Sequence, residues 1–167
     1  MSNSGIEYEL EQMNKLLKRI AKALEKIEED GVVAYKNRRK KKDRFFKQLN
    51  GKELSFNNLN DLRAGLSILA EFKNPTAVII KHAIPCGVAE TNNIYSSWTK
   101  AYQADELSAF GGVVCLNGNV DRKLAVKLSA IFLEVIAAMS FSKEALEVLN
   151  KKKNLRVIKI QGIKKFK

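Results

Sequence analysis

The chain has 167 residues, 46% of them apolar and 29% charged, with a formal net charge of +12. That balance is globular, and no apolar run approaches the roughly 20 residues a membrane-spanning helix needs, so a helical membrane protein and a disordered polymer are both excluded. The opening residues, MSNSGIEYELEQ, are polar and acidic, unlike a secretory signal. Two cysteines, Cys86 and Cys115, are too few for a disulfide framework, which points to a reducing, cytoplasmic setting.

The charge is unevenly placed. Residues 44–150 hold 11 basic and 10 acidic side chains, so the body of the chain is nearly neutral. The excess sits in residues 31–43, six basic against one acidic, and in residues 151–167, eight basic and none acidic. Such ends predict weak, non-specific contact with polyanions through residues 36–44 and 151–167.

Along the chain, Ile6, Leu10, Met13, Leu17, Ile20, Leu24 and Ile27 alternate steps of four and three. This is an a/d seam over about three heptads, and a lone helix cannot satisfy it. Two readings follow: an amphipathic helix lying on its own core, or a coiled coil that makes a homo-oligomer through residues 6–27. Asp30-Gly31 ends the helix. Residues 31–44 then read as an exposed basic linker, with a phosphate or nucleic-acid contact as the sharper alternative.

From residue 45 to 160 helix and strand alternate. Asn60 is placed to cap a helix carrying Leu62, Leu66 and Leu69, which Asn74-Pro75 breaks. Thr76–Ile80 reads as a buried strand, residues 95–104 as a helix, and Val113–Leu116 as a second strand ended by Asn117-Gly118. Asp121 caps a helix, residues 132–138 form a third strand, Ser142 caps another helix, and Leu155–Ile160 is the last strand. With no two-residue hairpin in view, the expectation is a mostly parallel sheet covered by helices on both faces. Residues 161–167 read as a basic tail.

Chemistry concentrates after the first buried strand, at Lys81-His82-Ala83-Ile84-Pro85-Cys86-Gly87. Ligands in open α/β sheets bind beyond the carboxyl ends of strands, and His82 is the only histidine. An imidazole there can move protons near neutral pH, and Lys81 can stabilise an oxyanion; a structural or surface role for His82 is the plainer alternative. Pro85-Cys86 lacks the second cysteine and the His-x-Glu of a zinc deaminase, so no metal is expected.

The segment 51–58, Gly-Lys-Glu-Leu-Ser-Phe-Asn-Asn, resembles the GKELSYNN segment of 5-aminoimidazole-4-carboxamide ribonucleotide (AICAR) transformylases. Val78–Ala89 resembles their V-x-V-K-H-x-N-P-C-G-x-A motif, and residues 101–112 resemble AYxxDxxSAFGG. Phe132–Ile136, the Glu144–Leu149 segment and Lys152–Arg156 match later segments of that family, so the likeness covers about residues 46–160. It implies a three-layer α/β/α, cytidine-deaminase-like fold without the deaminase zinc. It also implies formyl transfer from 10-formyltetrahydrofolate, a co-substrate, to the amine of AICAR. By that resemblance His82 is the base and Lys81 its electrostatic or acid partner. Asn57, Asn58, Pro85, Cys86, Gly87, Ser108, Ala109, Phe110, Gly111 and Gly112 would shape the substrate side. Ile84 stands where the family has Asn, and the family's second transformylase subdomain and its cyclohydrolase domain have no counterpart in the sequence. The family completes its site between subdomains and across a dimer, so turnover by this chain alone is not expected, and association through the subdomain face is. A non-enzymatic scaffold or polyanion binder reusing the fold is the rival expectation.

Overall fold

The computed structural model describes residues 11–23 and 45–163. They form a mixed α/β unit of six helices and one six-stranded sheet. Residues 11–23 are helix α1. Then follow β1 (Phe46–Asn50), α2 (Phe56–Leu69), β2 (Thr76–Lys81), β3 (Ile84–Glu90), α3 (Ile94–Ala104) and α4 (Glu106–Ala109). The chain continues through β4 (Val113–Val120), α5 (Arg122–Ser129), β5 (Val135–Phe141), α6 (Lys143–Leu149) and β6 (Arg156–Ile160).

The sheet order is β1-β6-β5-β4-β2-β3. Only β4–β5 and β5–β6 run parallel; β1–β6, β2–β3 and β2–β4 are antiparallel. The expected mostly parallel sheet is therefore corrected to a mixed one. The reason is local: β2 turns straight back into β3 through two residues, His82 and Ala83, that carry none of the usual Asn-Gly turn chemistry. β1 also escaped notice, because its five residues alternate only weakly.

The central strands are apolar on both faces, as strands covered on two sides must be. Ala77, Ile79, Val114, Leu116, Ile136 and Ala138 turn to one core, shared with Trp98, Ala101, Leu124, Leu128, Ala145 and Leu149 of α3, α5 and α6. Val78, Ile80, Val113, Cys115, Val135 and Ala137 turn to the other, shared with Leu62, Leu66, Ile68 and Leu69 of α2. Each fully buried Leu or Ile here stabilises the fold by about 1.5–3 kcal/mol.

Capping follows local chemistry. Ser55, not Asn60, caps α2: its hydroxyl accepts from the Asn58 N–H, and the Asn58 side-chain oxygen accepts in turn from the Ser55 N–H. Asp121 and Ser142 cap α5 and α6 as expected. β4 runs past Asn117-Gly118 to Val120, with its register to β5 shifting between Leu116 and Asn119, so that pair marks a bulge and not an end. Residues 132–134 precede β5 instead of belonging to it.

Helix α1 lies on its own domain. Leu16, Ile20 and Ala23 pack against the α2 side of the core, while Met13 and Leu17 stay about half exposed. The remaining heptad positions Ile6, Leu10, Leu24 and Ile27, the basic linker, and the last four residues lie outside the described residues. Among the described residues no helix is long and apolar enough to cross a membrane.

Candidate active site

β2 ends at Lys81 and β3 begins at Ile84, leaving His82 and Ala83 as the turn. Both adopt left-handed backbone, with φ of 54° and 62°. This conformation costs an L-residue roughly 1–2 kcal/mol, and histidine tolerates it better than alanine. One compensation is on the neighbouring helix: the Asp61 carboxylate accepts the Ala83 N–H at 2.7 Å. His82 is thus held at the tip of a tight hairpin, exposed, with no hydrogen bond to its side chain among the described residues.

Lys81 links this hairpin to a second segment. Its ammonium donates to the Phe110 carbonyl at 2.9 Å. Asp105 caps the short helix α4 by accepting from the Ser108 N–H at 2.9 Å. Hydrogen bonds from the Ser108 hydroxyl and then its N–H hold the Asp105 carboxyl below its ordinary value, with Lys81 adding a smaller pull in the same direction. After Phe110 the chain turns at Gly111, whose φ of 74° suits glycine. The Gly111 N–H donates to the Phe132 carbonyl at 2.8 Å, and the Glu134 N–H donates to the Gly112 carbonyl at 3.0 Å. The rings of Phe110 and Phe132 lie 5.2 Å apart and both are more than half exposed. Ile84, which pairs with Lys81 across the hairpin, is 66% exposed.

The position in the sheet differs from the expected one. This is the carboxyl end of β2, but β2 is antiparallel to β4, so the parallel strands β4, β5 and β6 begin here. The rule for parallel sheets, on which the expectation at this hairpin rested, therefore does not apply to β2.

The structure joins Lys81 to the Phe110–Gly112 segment, with Ser108 half-buried in the α4 cap, while His82 follows Lys81 as an exposed turn residue. Ala109 is buried in the core and Gly112 is buried between Ala109 and Ile80. Pro85, Cys86 and Gly87 run away along β3. Cys86 is half-buried, its Sγ 3.6 Å from the Ile79 carbonyl, and burial pushes its thiol up, away from nucleophilic character. Gly87 is buried where a Cβ would meet the Ala101 carbonyl at 2.1 Å, a packing position beneath α3. Asn57 is exposed in the first turn of α2. Asn58 is buried, its amide donating to Glu134 at 2.6 Å, so its hydrogen-bonding groups serve the fold.

Four residues escaped sequence reasoning. Asp61 pins the turn, and it was hidden by the wrong helix start. Phe132 supplies the second ring of the pair with Phe110. Glu134 and Arg156 tie α2 to the sheet: Arg156 lies 3.9 Å from the Glu134 carboxylate and its Nε donates to the Glu53 carbonyl. A polar residue at the entry of an apolar strand, as Glu134 is to β5, was the available signal. Among the described residues no three His, Cys, Asp or Glu side chains gather as a metal set.

Comparison with known proteins places these segments together in one lineage. The chain is 54% identical over 114 residues to a bifunctional purine biosynthesis protein PurH from Thermoanaerobacter sp. (strain X514), covering 68% of this chain and 22% of that protein. It is 53% identical over 116 residues to PurH of Bacillus cytotoxicus, covering 70% and 23%, and 48% identical over 117 residues to PurH of Acetivibrio thermocellus, again covering 70% and 23%. The chain thus spans less than a quarter of the length of these curated relatives. Residues 25–167 match the AICARFT/IMPCHase bienzyme family, and the chain belongs to that family.

Proposed function

We propose that the chain is a partial AICAR transformylase module of cytoplasmic purine biosynthesis, built on a three-layer, cytidine-deaminase-like fold, that presents Lys81 and His82 to AICAR. The observation that carries this reading is the Lys81–Phe110 hydrogen bond, which joins the two family motifs at one end of the sheet. The AICAR amine is conjugated into its imidazole and is a weak nucleophile. As its nitrogen attacks the formyl carbon of 10-formyltetrahydrofolate, the amine must lose a proton and the carbonyl oxygen gains negative charge. An exposed His82 takes the proton, and the Lys81 ammonium stabilises the oxyanion. The C–N bond to the folate then breaks as the folate nitrogen is protonated. Exposed Ile84, Phe110 and Phe132 leave the site open on one side, consistent with completion by further chain, through association at this face.

The test is direct binding of AICAR and of 10-formyltetrahydrofolate by calorimetry, with formyl transfer measured in parallel. The expected result is weak AICAR binding that Lys81→Ala reduces, with little turnover. A trace of transfer lost in His82→Ala supports the base assignment. No AICAR binding by the folded chain overturns the reading. Ile84, exposed where the family has Asn, favours a second reading as a non-enzymatic scaffold or polyanion binder. It requires salt-dependent RNA binding that disappears when residues 38–42 are neutralised.

A further inference from the structure

Helix α1 lies before residue 25, where the family match begins, yet it is fastened to the family core. The fastening centres on Arg19. Its guanidinium donates to the Glu71 carbonyl, lies 3.9 Å from the Glu90 carboxylate, and stacks 4.0 Å over the Phe72 ring. Glu90 is itself oriented, its other oxygen accepting the Asn74 N–H at 3.1 Å. Leu16, Ile20 and Ala23 flank Arg19 at helical spacing and pack on the same surface. A planar cation that meets a carbonyl, a carboxylate and an aromatic face together is a use for which lysine is a poor substitute.

We propose that residues 11–23 are an intramolecular clamp: the surface made by Glu71, Phe72 and Glu90 is a docking site for a cationic amphipathic helix, and this chain fills it with its own. The docked face carries Leu16, Arg19, Ile20 and Ala23. Ile20, a seam residue in the heptad reading, packs partly buried against the domain core. Met13 and Leu17 are left as an exposed edge.

The experiment is hydrogen–deuterium exchange on the full chain at two concentrations 100-fold apart, roughly within the range where weak self-association dissociates. Near-ultraviolet dichroism of Trp98, buried in the core on the other side of the sheet, monitors the domain separately. The expected result is that Arg19→Ala accelerates exchange across residues 11–23 on the order of tenfold, Arg19→Lys less, with the Trp98 signal retained. Met13→Gln/Leu17→Gln leaves exchange unchanged at both concentrations. Protection that falls on dilution, or that is lost in Met13→Gln/Leu17→Gln and not in the Arg19 variants, overturns the clamp in favour of self-association. If Arg19→Ala abolishes the Trp98 signal, Arg19→Lys decides.

Discussion

The Ala83 N–H finds its partner on helix α2, in the Asp61 carboxylate, and the turn that presents His82 depends on that bond. Asp61→Ala leaves a half-buried N–H unpaired and is expected to lower stability by about 1–3 kcal/mol in urea unfolding. Ala83→Gly should do the opposite. It relieves the left-handed strain at φ 62° but loosens the unfolded chain, for a net gain of about 0.5–1 kcal/mol. If Ala83→Gly destabilises, the positive φ carries no strain and the account of the hairpin fails. At this scale the sequence was legible in part: the apolar run before the one histidine marked the buried strand that ends at the His82 turn. Asp61 was not legible, because its partner is 22 residues away and only the hairpin brings them together. Asn58 shows the converse: its family motif suggested a ligand contact, while its amide bridges Ser55 and Glu134.

Among the elements, the contact of α3 with β3 rests on Gly87. A Cβ there meets the backbone carbonyl of Ala101, an obstacle that no side-chain rotation removes. Gly87→Ala is expected to cost about 1–3 kcal/mol and to weaken hydrogen-exchange protection along β3 and α3 together. An isolated effect in β3 would mean the helix shifts freely. The helix caps respond to acid. Asp105 at α4 and Glu144 in the first turn of α6 both have carboxyls held below their ordinary values of 3.8 and 4.5. For Glu144 the cause is first a bond from its own backbone and then one from Ser142. Their folded forms are favoured above those ordinary values, and the advantage is lost as pH falls through the lower, folded values. Protection at the starts of α4 and α6, taken relative to the intrinsic exchange rate at each pH, should therefore fall as acid protonates these carboxyls, before the sheet responds. The caps of α5 and α6 and the strands covered on both faces were readable in the sequence because both follow local rules, whereas the Ser55 cap of α2 and the short helix α4 were not. β1 and the β2–β3 hairpin were not, since β1 is held by pairing with a strand about 110 residues later and the hairpin uses a His-Ala turn.

For the whole molecule, the sheet separates two cores, and Cys115 sits in the one beneath α2. Its Sγ lies 2.6 Å from where a Cβ on Gly65 would stand, so helix and strand are in tight contact over the thiol. Burial first, and then the nearby Asp61 carboxylate, push that thiol far above its ordinary value, so no reactive thiolate forms in the folded state at neutral pH. Cys86 is half-buried on β3 and raised by burial to a lesser extent. A thiol reagent should therefore label one cysteine slowly in the folded chain. The second should react only at the rate of global unfolding, with a urea dependence matching the full equilibrium slope. Cys86→Ser isolates the second event. If Cys115 then reacts in the absence of denaturant with little urea dependence, α2 opens locally. The helix that carries Asp61 and Asn58 would then be mobile, and the hairpin presenting His82 would no longer be pre-organised on a fixed sheet.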